Sequence, residues 1–88
     1  MRSVRGKIVV ITGAASGIGA ALATSMAAQG ARLMLADIDA AGLESLGATL
    51  RLQGCDCHTW VTDTGNEAAI YALAAQAEQR FGAVDILI

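Results

Sequence analysis

Apolar positions along the chain switch repeatedly between two patterns. Lys7–Thr12 (KIVVIT), Ala31–Asp37 (ARLMLAD), Cys57–Thr62 (CHTWVT) and Val84–Ile88 (VDILI) are short, nearly continuously apolar and rich in β-branched residues. Runs of that kind suit strands covered on both faces, as in a parallel sheet. Three longer stretches between them carry helical spacing. Ile18, Leu22 and Met26 stand four apart in a stretch from Ile18 to about Gln29, stopped by Gly30. Leu43, Leu46 and Leu50 mark a second stretch from about Ala40 to Gln53, followed by Gly54. Ile70, Leu73, Ala77 and Phe81 form one stripe of a third, Asn66–Phe81, followed by Gly82. Its start fits either a capping box from Thr64 to Glu67 or a cap at Asn66.

The strand starts at residues 7, 31, 57 and 84 recur every 24 to 27 positions, the rhythm of consecutive βαβ units with right-handed crossovers. Pattern alone therefore predicts an α/β layered domain, β-α-β-α-β-α-β, with residues 1–88 as one unit and no linker, low-complexity tract or second domain. Length agrees: a chain of 88 residues makes one small domain that buries roughly 60–65% of the surface its unfolded form exposes.

Composition narrows the partners. With 55% hydrophobic residues and no proline, the chain is neither a disordered segment nor a loop-rich scaffold. A net charge of −2 without any block of like charge offers no footprint for nucleic acid or an anionic membrane surface. No apolar run reaches the roughly 18–20 residues of a membrane span, and the one after Met1–Lys7 is too short for a signal peptide. With two cysteines only, a reducing cytoplasm is the expected compartment.

The chemistry concentrates in Thr12–Gly19, TGAASGIG, where the first strand meets the first helix. A strand that turns directly into a helix N-terminus presents unpaired N–H groups and a partial positive charge, which favour phosphate. Gly13 would allow the sharp turn, Gly17 would let a pyrophosphate approach the backbone, and Gly19 would let the helix lie close. These are the tasks of the dinucleotide fingerprint, here spaced G-x-x-x-G-x-G. Ser16 can donate its hydroxyl, and the Ile18 N–H lies in the first helical turn. Asp37, eighteen positions after Gly19, closes the second strand, where a carboxylate can accept both hydroxyls of a ribose. No Lys-Ser or Lys-Thr follows the glycines, which excludes a nucleoside-triphosphate P-loop.

TGAASGIG resembles the T-G-x-x-x-G-x-G motif of the short-chain dehydrogenase/reductase family. The likeness continues through almost the whole chain: LADID is similar to the end of that family's second strand, VTDTGNEAAI to the segment after its third, and RFGAVDILI to the F-G-x-x-D-x-L-V stretch entering its fourth. The resemblance implies a Rossmann-like doubly wound parallel sheet, here partial, with strand order 3-2-1-4. The first two helices would lie on one face and the third alone on the other. It also implies that Ser16, Gly17 and Ile18 meet the pyrophosphate and nearby ribose. Asp37 would bind the adenosine ribose, with Ile38 beside it, Asp63 the adenine amino group, and the Thr64 backbone the ring. Thr64 stands where the family usually has Val. Asp37 and Asp63 could instead cap the second and third helices.

Charge selects the cofactor. A 2′-phosphate about 4 Å from Asp37 would meet repulsion of up to ~4 kcal/mol per charge pair at an effective dielectric of 20. Positions 16 and 38, where NADP-using relatives often carry Arg or Lys, hold Ser16 and Ile38. NAD is expected.

Family members use a Ser and a Tyr-x-x-x-Lys, the ammonium lowering the tyrosine pKa. The only tyrosine here, Tyr71, has Ala75 four positions on, and the only lysine is Lys7. No catalytic residue is therefore assigned. The chain is expected to be a truncated, NAD(H)-binding portion of a dehydrogenase acting on an alcohol or carbonyl. The fourth strand would then be an exposed apolar edge, prone to self-association. A non-catalytic adenine-dinucleotide module, or an interaction piece with an empty loop, are the alternatives. Cys55, Cys57 and His58 (CDCH) lack the further ligands that zinc needs, and the two cysteines are poorly placed to bridge. Trp60 is expected to pack.

Overall fold

A computed structural model describes residues 3–63 and 65–88. Four strands, β1 (Ile8–Thr12), β2 (Arg32–Asp37), β3 (Cys57–Val61) and β4 (Ile86–Leu87), alternate with three helices, α1 (Gly17–Ala28), α2 (Ala40–Leu52) and α3 (Glu67–Phe81). The strands are parallel, in the order β3-β2-β1-β4. The expected α/β architecture and strand order both hold.

The near-continuous apolar strands divide their side chains between two layers. Val9, Ile11, Leu33, Leu35 and Cys57 face one way and pack with Ala23 of α1 and with Leu43 and Leu50 of α2. Their neighbours Val10, Met34 and Ala36 face the other way, against Leu73 and Ala77 of α3. A strand has a side-chain period of two, so a run covered on both sides must be apolar at every position. Trp60, Phe81 and Val84 close the margin of the α3 layer, which gives Trp60 its packing partner.

Each helix is started by a side chain. Ser16 caps α1, Asp39 caps α2 and Asn66 caps α3, accepting from the N–H groups of Gly19, Gly42 and Ala69. Asn66, one of the two expected starts, therefore caps the third helix; the other, Thr64, lies outside the described residues. The α1 stripe departs from expectation. Ile18 is 87% exposed, and the helix buries Gly19 and Ala23 instead, with Leu22 and Met26 at the flank. The first turn of α1 stands level with the turn leaving β1, so Ile18 has no strand to cover.

The fourth strand spans Ile86–Leu87, within the Val84–Ile88 read from the pattern, and at its start a side chain takes one rung of the ladder. Asp85 Oδ2 accepts the Ile8 N–H at 2.8 Å, while the Asp85 N–H donates to Ile8 O at 2.9 Å. At the other end Ile88 O accepts both the N–H and the hydroxyl of Thr12, at 2.8 and 2.9 Å. Leu87 and Ile88 are left 50% and 43% exposed along this edge.

Cys57 is buried, and burial, with the neighbouring Cys55 thiol next in weight, pushes its thiol up to about 12. Both cysteines are free thiols. Among the described residues no three His, Cys, Asp or Glu side chains gather where they could hold a metal ion, and no helix is long and apolar enough to cross a membrane.

Candidate cofactor-binding site

The turn from β1 into α1 is best understood by following its backbone donors one by one, because each buried N–H needs an acceptor. Gly13 leaves the strand with φ +63°, a conformation that disfavours any side chain. The Ala14 N–H then donates to Ala36 O at 3.0 Å, and the Ala15 N–H to Asp37 Oδ2 at 2.9 Å. Ser16 N–H returns to Gly13 O at 3.1 Å. Beyond the two N–H groups of Gly17 and Ile18, Gly19 N–H goes to Ser16 Oγ at 3.1 Å and Ala20 N–H to Ser16 O at 2.8 Å. Within the first turn of α1, Gly17 and Ile18 find no acceptor for their N–H groups among the described residues. They open side by side at the positive end of α1.

The two later glycines serve different ends. A β-carbon on Gly19 would overlap Gly13 O and stand 3.0 Å from the Ala14 α-carbon, so Gly19 is required by the turn itself. That refines the sequence reading, which placed the close approach between helix and sheet. A β-carbon on Gly17 would meet nothing within 4 Å, so no protein neighbour demands glycine there. Its missing side chain keeps the space over the two free amides open.

Ser16 is more committed than its exposed position suggests. Its hydroxyl donates to Gly13 O at 2.7 Å while accepting from Gly19 N–H. The one proton it could offer a ligand is already engaged, so Ser16 builds the turn before it meets anything outside.

Asp37 faces the loop. Its Oδ2 holds Ala15 and its Oδ1 accepts the Asp39 N–H at 2.9 Å. A carboxylate has about four lone-pair sites, so two remain for an incoming hydroxyl pair. Asp39, two residues on, is the cap of α2, accepting from Gly42 at 3.1 Å. The capping alternative for Asp37 therefore falls to its neighbour. Ile38 lies between them, 68% exposed.

The end of β3 joins the same rim. Thr62 N–H donates to Asp37 O at 3.0 Å, which sets Asp63 just past the C-terminal edge of the sheet. Asp63 Oδ1 accepts the Gly65 N–H at 2.9 Å, a local turn rather than a helix cap. Thr64 lies outside the described residues. Gly13, Ser16, Gly17, Ile18, Gly19, Asp37, Ile38 and Asp63 are thus gathered at one end of the sheet, beyond the carboxyl ends of its strands.

Sequence reasoning passed over three residues that organise this rim. Ala15 contributes only a backbone donor, which no side-chain pattern marks. Asp39 carries a readable signal, an Asp directly before a helical stretch. Thr12 needs the strand order to be known before its bond to Ile88 means anything.

Comparison with known proteins bears on what this rim belongs to. The sequence description of the short chain dehydrogenase family matches residues 7–88. The chain belongs to that family. Short chain dehydrogenases similar to it include a 2,3-dihydro-2,3-dihydroxybenzoate dehydrogenase of Bacillus subtilis, 37% identical over 87 residues that make up 99% of this chain and 33% of the relative. A D-threitol dehydrogenase of Mycolicibacterium smegmatis is 40% identical over 83 residues, 94% of this chain and 32% of that protein. Among solved structures, a short chain dehydrogenase/reductase from Burkholderia phymatum in complex with NAD superposes with a TM-score of 0.94 at 42% identity, over 99% of this chain and 31% of the other. A 3-ketoacyl-(acyl-carrier-protein) reductase from Brucella melitensis, complexed with NADH, gives 0.86 at 36% identity, over 97% and 34%. The chain spans about a third of the length of the relatives it matches. Those relatives are oxidoreductases, and the family's Rossmann-like fold is the one observed here.

Proposed function

We infer that this chain carries the adenosine and pyrophosphate part of an NAD(H) site in a dehydrogenase that moves hydride between that cofactor and an alcohol or carbonyl substrate. One observation carries the reading: the Gly17 and Ile18 N–H groups have no protein acceptor, a β-carbon at Gly17 would meet nothing, and the loop is hydrogen bonded to Asp37. Helix N-terminal amides with nothing above them fit a diphosphate, and a carboxylate with two free lone-pair sites fits a ribose diol.

In this reading Gly17 and Ile18 hold the pyrophosphate by their N–H groups, while Gly13, Ser16 and Gly19 keep the turn in shape. Asp37 accepts the adenosine ribose hydroxyls with Ile38 alongside. Asp63 meets the adenine amino group and the Thr64 backbone the ring. Bound there, NAD would supply the hydride chemistry. The substrate, an alcohol or carbonyl compound, is proposed from the family.

The distribution of cations supports NAD over its 2′-phosphorylated form. Arg5 and Lys7 precede β1, Arg32 opens β2 against Asp56, Arg51 ends α2 against Cys57 O, and Arg80 ends α3. All five lie at the far end of the sheet, so among the described residues none stands ready to neutralise a phosphate beside Asp37. Calorimetric titration should give tighter binding of NADH than of NADPH by about tenfold or more. NADPH binding as tightly as NADH would refute the assignment.

A non-catalytic dinucleotide module is the second reading. Tyr71, with its hydroxyl 3.3 Å from Glu67 Oε1 on the exposed side of α3, takes no part in either reading. Cofactor-dependent alcohol oxidation by the full-length protein supports the first reading, and binding without turnover the second.

A further inference from the structure

Asp37 does more than wait for a ribose. Consecutive loop donors, Ala14 and Ala15, grip consecutive residues at the end of β2: Ala14 takes the carbonyl of Ala36, and Ala15 takes the carboxylate of Asp37. The other carboxylate oxygen is held from behind by the Asp39 N–H. A single side chain therefore ties the glycine loop to the start of α2 with no ligand involved. Without it, the Ala15 N–H loses the one acceptor it has in the structure. Ala15 stands two residues before Gly17, so that loss would redirect the peptide planes that aim the two free amides.

We propose that Asp37 is a positioning residue for the phosphate cradle: it fixes the Ala15 peptide so that the Gly17 and Ile18 donors converge, and losing it weakens ligands that never touch its carboxylate. The proposal rests on the nucleotide-binding reading above and deepens it. It also makes a prediction of unusual sign. Electrostatics alone says that removing a carboxylate near a diphosphate tightens binding, because a repulsion is relieved. Loop positioning says the reverse.

The test uses ADP and 2′,3′-dideoxy-ADP, which share the diphosphate but differ in the hydroxyls Asp37 could accept. Affinities are measured for the unaltered chain and for Asp37→Ala and Asp37→Asn, together with amide hydrogen exchange in the free proteins. The expected result has two parts. Dideoxy-ADP binds the Ala variant about threefold or more weakly, and the Ala15 amide exchanges about tenfold or more faster while Val10 and Leu35 in the sheet keep their protection. Asn, which retains one acceptor oxygen, should fall between; it also serves as the readable variant if Ala fails to fold. Dideoxy-ADP binding the variants as tightly as before, or more tightly, would overturn the proposal and leave Asp37 as a ribose acceptor alone. Should the unaltered chain bind neither nucleotide, the nucleotide reading itself fails. Ala15 exchange then still decides whether Asp37 holds the loop: faster exchange in the variants keeps that role, and unchanged exchange removes it.

Discussion

Gly19 rests against the carbonyl of Gly13 so closely that a β-carbon at position 19 would overlap the oxygen. Gly17, two residues earlier, has nothing near it, although the two look interchangeable in the motif. Their substitutions should separate cleanly. Gly19→Ala must displace backbone and should cost about 2 kcal/mol or more in urea unfolding. Gly17→Ala should leave stability unchanged or raise it by up to ~1 kcal/mol, since alanine is the better helix former, yet lower NADH affinity by about tenfold.

Ser16 gives a second separation. Its hydroxyl caps α1 and holds Gly13 O, so Ser16→Ala should destabilise the ligand-free protein by ~1 kcal/mol. Thr in its place should recover most of that. Equal unfolding midpoints for the unaltered and Ala proteins would show that the cap contributes nothing.

The junction of β4 with β1 depends on Asp85, whose carboxylate accepts from the N–H of Ile8, a residue only 6% exposed. Asp85→Ala leaves that donor unpaired and should cost about 1–3 kcal/mol. Amide exchange should quicken at Ile8 in particular, while β2 and β3 keep their protection.

How much of this was legible beforehand follows from the range of the forces involved. Element order, strand order and the two-faced core were legible because burial leaves a period in the sequence, and strands such as Ile8–Thr12 and Arg32–Asp37 leave no position for a polar residue to face the core. The place of Asp37 at the end of the second strand was legible too. What escaped is the sharing of short-range hydrogen bonds. Asp37 and Asp39 are chemically alike and two residues apart, and only geometry says that the second caps α2 while the first holds Ala15. Ile18 matched a helical stripe, but the helix begins where the sheet has ended. At the start of β4 Asp85 substitutes its side chain for a backbone rung, which no periodicity records.

Cys57 carries a pH prediction. Burial holds its thiol up at about 12, against an ordinary 9.0, so the folded chain keeps a proton that the unfolded chain releases. The stabilisation is complete below pH 9 and drains away as pH rises from 9 toward 12. Cys57→Ala should flatten that alkaline loss in urea midpoints. At pH 8 the native Cys57 should also alkylate on the order of a thousandfold more slowly than a free thiol, through its smaller thiolate fraction.

The central claim is that two backbone amides at the start of α1 receive the diphosphate. Titrating NAD into the ¹⁵N-labelled chain tests it most directly. The amide resonances of Gly17 and Ile18 should shift furthest, with Ala15 and Ile38 following. Unmoved Gly17 and Ile18 resonances at saturation, or shifts gathered around Arg32, Asp56 and Phe81 at the opposite end of the sheet, would contradict it.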